Sequence, residues 1–182
     1  MEILIRPWQK EDLPTVRRIL WESWMEAYRP FIPEEDLRAY HEATYRIESL
    51  THLYDSRFVH GFIGEADGTA VGFARVHFHR NEKRLYLASL YLLPDHQGKG
   101  IGGGLLAAAE RKAVAYGLPA LWVGVMFQNE RARRWYEQRG FRFIHQEPFR
   151  IGGTVVPHLI GCKVIGRMPR DAHSRTNDPS TH

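Results

Sequence analysis

The sequence predicts a mixed α/β sheet with helices on both faces, and three observations predict it. Apolar residues recur at helical spacing near the start of the chain. A strand–turn–strand pattern follows them. The second half then alternates strand, helix, strand, helix and strand, as a layered sheet requires.

Ile3–Arg6 is short and apolar and reads as the first strand. Asp12 with Pro14 marks a helix start, and Leu13, Val16, Leu20 and Trp24 carry that helix to about Tyr28. Pro30 and Pro33 end it, and Glu34 to about Ser49 reads as one second helix. Phe58–Glu65 and Ala70–His77 are strand-like and flank Asp67-Gly68, a strong hairpin signal. Arg84–Leu93 and Leu121–Met126 are apolar throughout, which predicts strands covered on both faces. Between them, Gly98 to Tyr116 forms a helix that opens on glycines and stops at Gly117-Leu118-Pro119. Glu130–Arg139 is a helix ended by Gly140, and Phe141–Phe149, Gly152-Gly153 and Val155–Ile165 make a closing hairpin. Residues 1–166 read as one domain. Residues 167–182 are polar without apolar periodicity and read as a disordered tail.

Composition narrows the function classes. The chain has 182 residues, 43% hydrophobic and 25% charged, with 5 Trp, 8 Tyr and 9 Phe. That supports a packed core with aromatic walls and argues against disorder. A single cysteine, Cys162, excludes an internal disulfide and points to a reducing compartment. No run approaches the roughly 18 apolar residues of a membrane span. The first residues lack the apolar stretch of a secretory leader, so the chain reads as cytoplasmic. The net charge of +4 suits a polyanionic ligand. No Lys/Arg stripe interleaved with aromatics appears, which argues against nucleic acid as a partner.

The segment Leu90-Tyr91-Leu92-Leu93-Pro94-Asp95-His96-Gln97-Gly98-Lys99-Gly100-Ile101-Gly102-Gly103 carries the chemistry. A strand runs into a glycine loop that becomes the first turn of a helix. The first helical amides lack internal partners and sit at the positive end of the helix dipole. Glycine lets an anion approach the main chain closely. The segment is therefore a candidate phosphate or diphosphate site, set against a glycine turn that only packs helix on strand. The glycine spacing departs from the dinucleotide fingerprint. Gly100 after Lys99 departs from the phosphate loop of NTPases.

Some thirty residues on, Asn129, Ala132 and Tyr136 fall on one helical face before Gly140-Phe141. Taken singly, Asn129 is a helix cap and Tyr136 a core aromatic.

Together the two stretches resemble the GCN5-related N-acetyltransferase (GNAT) superfamily. Gln97-Gly98-Lys99-Gly100-Ile101-Gly102 fits its Gln/Arg-x-x-Gly-x-Gly/Ala signature, and Asn129 to Phe141 fits Asn-x-x-Ala-x-x-x-Tyr-x-x-x-Gly-Phe. The resemblance covers roughly residues 1–165 in element order and is sharp from Leu85 to Phe141. It implies a mostly antiparallel sheet, splayed between the strand ending near Leu92 and the strand starting near Leu121. It implies acetyl-CoA as co-substrate, with no metal. The amides of the Gln97–Gly103 loop would hold the coenzyme A diphosphate. Leu90, Tyr91 and Leu92 would pair with the pantetheine arm, Asn129 would contact it, and Tyr136 would protonate the departing sulfur as general acid. Acetyl would pass by direct attack to an amine, on a small molecule or a protein.

Relatives that modify protein N-termini carry a glutamate where this chain has Gly124, so that base is missing. Glu22, Tyr28, Glu82, His77 and His79 are the candidates by element, beside a water chain. Trp21 and Tyr28 are candidate walls of the acceptor pocket, and the edge strands of the closing hairpin are a route to a homodimer. Two other readings share these residues: a non-catalytic acyl-CoA sensor, and an acyltransferase of the same fold with another acyl group or acceptor.

Overall fold

A computed structural model of the chain describes residues 1–166; the expected tail, 167–182, lies outside the described residues. Strand β1 is Ile3–Pro7, and helix α1 is Leu13–Tyr28 with Pro14 in its first turn. Along α1 the apolar positions Leu13, Val16, Leu20 and Trp24 fall on one buried stripe. The expected second helix is in fact two, α2 (Glu34–Thr44) and α3 (Ile47–Asp55). Arg46 takes an extended conformation between them (φ −62°, ψ 157°), which no helix accommodates. The break turns Leu37 toward α1 and lets Leu50 enter the core from α3.

Strands β2 (Val59–Ala66) and β3 (Thr69–His79) form the expected hairpin. Ala66 faces Thr69, so the loop is two residues long, and Asp67 and Gly68 both have positive φ (48° and 76°), as the favoured two-residue turn requires. Strand β4 (Arg84–Leu92), α4 (Ile101–Ala115), β5 (Ala120–Met126), α5 (Glu130–Glu137), β6 (Arg142–Ile151) and β7 (Thr154–Val164) complete the fold.

The seven strands lie in the order β1-β2-β3-β4-β5-β7-β6, and only β4 and β5 run parallel. The crossover joining them carries α4. Helices α1 to α3 cover one face of the sheet, over Phe73, Met126 and Ile63. Helix α4, with Tyr136 of α5, covers the other face over Val71, Leu87 and Val123. The β6–β7 turn is pinned to α2: Asp36 accepts bonds from the Gly153 amide (2.8 Å) and the Thr154 hydroxyl (2.6 Å).

The expectation that β4 and β5 are covered on both faces does not hold. Leu85, Leu87, Leu121 and Val123 are buried against the α4 face, while Tyr86, Ala88, Trp122 and Gly124 are half-buried or exposed. The helices on the opposite face stop short of these positions, which leaves an open floor beside the splay.

Phe73 is fully buried between Trp8 and the α1 layer. Phe73→Ala should lower unfolding stability by about 3–5 kcal/mol, read from urea denaturation of the variant and the parent.

Candidate active site

Where β4 and β5 part, the sheet opens. They pair only from Leu85–Leu87 to Leu121–Val123. On β4, Ala88 has no counterpart in β3, because Leu87 faces Val76 and Ser89 faces Arg75. Such a bulge bends its strand and increases the local twist, which carries the end of β4 away from β5. A cavity of 680 Å³ fills the gap, within the range of small-molecule sites (roughly 300–1,000 Å³).

The main chain at the end of β4 is divided by strand parity. Leu93 N–H donates to the Val71 carbonyl (2.9 Å), so Tyr91, two residues back, also turns its main-chain groups to β3. Leu90 and Leu92 therefore point theirs into the gap. This corrects the expectation for Tyr91, which contributes its side chain alone. The Leu92 carbonyl accepts from Ser23 Oγ (3.0 Å) and from Gln97 Nε2 (3.3 Å). Its N–H is left facing the cavity. Gln97 N–H donates to the Pro94 carbonyl (3.2 Å), so, against the expectation, Gln97 brings no free amide to the loop and acts by holding the strand end in place.

The glycine loop has the open amides the sequence foretells. After a single 3₁₀ turn at Pro94–His96, Gly98 (φ 76°) and Gly100 (φ 91°) bend the chain into α4. The first main-chain bond of that helix runs from Gly104 N–H to the Gly100 carbonyl (3.1 Å). Among the described residues, the amides of Gly98, Lys99, Gly100, Ile101, Gly102 and Gly103 have no protein acceptor. A side chain added at Gly98 or Gly103 would meet nothing within 4 Å. These residues fit a bound diphosphate: unpaired donors, a helix N-terminus and free space coincide. Gly102 has a different job, since a Cβ there would press on Leu92 (3.2 Å) and Trp135 (3.3 Å). The Lys99 side chain is exposed and Ile101 is buried in the core, so both bring only their amides to the site.

Asn129 caps α5, accepting from the Ala132 amide (3.2 Å), and it also lines the cavity. Tyr136 lies one turn beyond Ala132, wedged between Trp135 and Phe141, and it too lines the cavity. Burial raises the Tyr136 phenol well above its usual value, and nearby Tyr91 adds to the rise. Tyr28 and Tyr91 share a hydrogen bond (3.0 Å). Burial pushes Tyr28 up to about 12, against the opposing effect of that bond, and takes Tyr91 well above its usual range. All three phenols are protonated at neutral pH. Any of them can donate a proton and none can act as a base.

Of the two candidate acceptor walls, Tyr28 lines the cavity and Trp21 does not. Trp21 turns toward α2, packing on His41 and under the Arg38 guanidinium (4.9 Å). The candidate bases are also elsewhere. Glu22 is paired with Arg18, and Glu82 accepts from Tyr86 Oη (2.8 Å) beside His79. None of Glu22, Glu82, His77 and His79 lines the cavity.

The sequence reading missed His158. Its imidazole stands over Gly124, where a Cβ would fall 2.4 Å from Cε1, so the glycine is what admits the ring. Burial lowers the His158 pKa, against the pull of the Glu147 carboxylate. The pairing joins β5 to β7 across more than thirty residues, and no local pattern announces it. Among the described residues, no group of three or more His, Cys, Asp or Glu could hold a metal ion, and no helix is long and apolar enough to cross a membrane.

Comparison with known proteins decides the family. The sequence model of the Acetyltransferase (GNAT) family matches residues 14–141. The chain belongs to that family. A GNAT relative from Thermoplasma acidophilum, a spermidine N(1)-acetyltransferase, is 30% identical over 149 residues, covering 78% of this chain and 89% of that one. An N-acetyltransferase from Mycobacterium tuberculosis (strain H37Rv) is 34% identical over 86 residues, 47% of this chain and 54% of its own. This chain thus spans about half the length of that relative. Among solved structures, the PaiA N-acetyltransferase of Thermoplasma acidophilum in complex with coenzyme A superposes with a TM-score of 0.77 at 27% identity. The match covers 90% of this chain and 99% of that one. The mostly antiparallel, splayed sheet is the fold of this GNAT neighbour.

The buried tyrosines yield a pH prediction. A phenol whose pKa is higher folded than unfolded favours the fold below its unfolded value, about 10, and that contribution is lost as pH rises toward the folded value. For Tyr28 the window runs from about 10 to about 12. Burial raises Tyr40, Tyr86 and Tyr116 as well, so ultraviolet titration should show more than half of the 8 tyrosines ionising late, the last of them together with loss of structure. Ionisation of all eight near pH 10 in the folded protein would contradict the burial argument.

Proposed function

We propose that the protein moves an acetyl group from acetyl-CoA to an amine by direct attack on the thioester, with Tyr136 as general acid. One observation carries this reading. A single cavity is bounded by the unpaired amides opening α4, the free N–H of Leu92 and the protonated phenol of Tyr136. The coenzyme A bound by the Thermoplasma neighbour supports the choice of cofactor.

Acetyl-CoA, when bound, supplies an acyl group already activated as a thioester. The chain does the rest. The amides from Gly98 to Gly103 grip a diphosphate and fix the reach of whatever is attached to it. Leu90 offers N–H and C=O to an extended, amide-bearing arm, as an added strand would use them. Leu92 N–H is aimed at the acyl oxygen, where negative charge grows during attack. One preorganised donor of this kind is worth roughly 3–4 kcal/mol. Its aim is set by Ser23 and Gln97 on the carbonyl of the same residue. Tyr136 gives its proton to the departing sulfur, whose thiol has a pKa near ~8.5. The attacking amine must arrive neutral, because an ammonium has no lone pair.

Tyr136→Phe should lower turnover about 100-fold while leaving the Kd for acetyl-CoA nearly unchanged. The assay is thiol release with a panel of amines, beside calorimetric titration. Undiminished turnover would remove Tyr136 from the mechanism, and binding without turnover in the parent would favour a sensor. Gly103→Val places its side chain in the open cradle. It should weaken acetyl-CoA binding by about 10–100-fold while thermal stability is retained. Equal affinity would show that the diphosphate lies elsewhere.

A further inference from the structure

Arg75 lies in mid-β3 and is only 8% exposed. Its neighbour across the ladder is Ser89 of β4, 3% exposed. Facing residues of an antiparallel pair project to the same side, as do residues two apart on a strand. Arg75 and Ser89 therefore share the face of Phe73 and Tyr91, the face that α1 and α2 cover. Ser89 lines the cavity. The α4 amides approach from the opposite face, where Ile101 and Leu105 pack. Arg75 thus lies on the acceptor's side of the sheet, next to Ser89 and just outside the cavity wall that Ser89 forms.

The guanidinium has no countercharge. Among the described residues Arg75 makes no ion pair and no hydrogen bond, and its Nε is buried without an acceptor. The Ser89 hydroxyl is buried and unpartnered as well. The titratable groups that feel Arg75 are Tyr40 of α2 and His77 of β3, and neither is an anion. Among the acids of the covering helices, Asp36 is taken by Gly153 and Thr154, Glu22 by Arg18, Glu34 by Arg38 and Glu42 by Arg17; Glu26 of α1 lines the cavity unpaired, but it makes no ion pair with Arg75. Burial can strip the charge from a lysine or a carboxylate, but arginine keeps its proton. A buried guanidinium without an anion weakens the fold unless something arriving from outside answers it.

We propose that Arg75, with the Ser89 hydroxyl, is the recognition point for a carboxylate on the acceptor. The substrate is then an amine that also bears a carboxylate, an amino acid or a short peptide. The planar fork of arginine takes both carboxylate oxygens at once, and serine supplies a further donor. This rests on the acetyl transfer proposed above and adds the class of acceptor. A polyamine such as spermidine, named for the Thermoplasma relative, brings only positive charge to this point.

The test uses the full chain with acetyl-CoA and matched acceptors: glycine, β-alanine, 6-aminohexanoate, phenylalanine and glycylglycine, each against its primary amide, with spermidine alongside. The acids should exceed their amides in kcat/KM by about 10–100-fold. Arg75→Met should abolish that ratio chiefly through the acceptor KM, with the KM for acetyl-CoA unchanged, and Arg75→Lys should keep part of it. Equal use of acids and amides, a preference that survives Arg75→Met, or spermidine as the best acceptor would overturn the proposal. If nothing in the panel turns over, calorimetry of the same acids on the coenzyme A complex decides, and absence of binding overturns it. A further readout needs no acceptor. Arg75→Met should raise the Tm of the free protein, because it removes an unanswered buried charge at similar volume. A lowered Tm would mean that the protein already compensates Arg75. Failure of acetyl-CoA to bind at all would instead refute the transferase reading, and the Tm comparison would still judge Arg75.

Discussion

The early parting of β4 and β5 is the constraint on which the rest of the structure depends. Two parallel strands that stayed paired would close the sheet and consume the main-chain groups of Leu90 and Leu92. They pair over three residues only, and the unmatched Ala88 bends β4 away. Unpaired strand edges are normally a liability inside a protein. Here the gap leads directly to the amides that open α4, so two sets of unpaired donors face one cavity. Both sets come from the main chain, and so depend on conformation more than on side-chain identity. The side chains of Ser23 and Gln97 act one step back, by fixing the Leu92 peptide.

A cluster of protonated phenols completes the site. Tyr28, Tyr91 and Tyr136 come from α1, β4 and α5, and each is held neutral by burial. Such a wall donates protons without adding negative charge beside a polyanionic ligand. It also keeps water from the strand end. On the same side of the sheet as Tyr28 and Tyr91, His158 over Gly124 and Arg75 beside Ser89 have the contrary character: they offer a neutral imidazole and a buried cation.

Much of this was legible in the sequence because its causes are local. Glycine spacing foretold the bend into α4, and Asp67-Gly68 foretold the hairpin and its two-residue loop. Asn129 and Tyr136 announced themselves by helical spacing, and Asn129 proves to be both cap and cavity wall. What stayed hidden depends on partners distant along the chain. No glycine or proline marks the break at Tyr45-Arg46, which serves the packing of Leu37 and Leu50. The parity that turns the Tyr91 main chain away from the gap is fixed by Leu93 and Val71. Trp21 sits one turn of α1 from Met25 at the edge of the core, yet it is drawn to His41 of α2. Arg75 reads as an ordinary charge in an alternating strand until its burial and lack of a partner are seen together.

The central claim is that unpaired main-chain amides hold the diphosphate. Amide resonances of the isotopically labelled protein, followed during titration with acetyl-CoA, test it most directly. Saturable shifts concentrated at Gly98 to Gly103 and at Leu92 are the predicted result. Saturable binding that leaves those resonances unmoved, or no saturation at all, would contradict it.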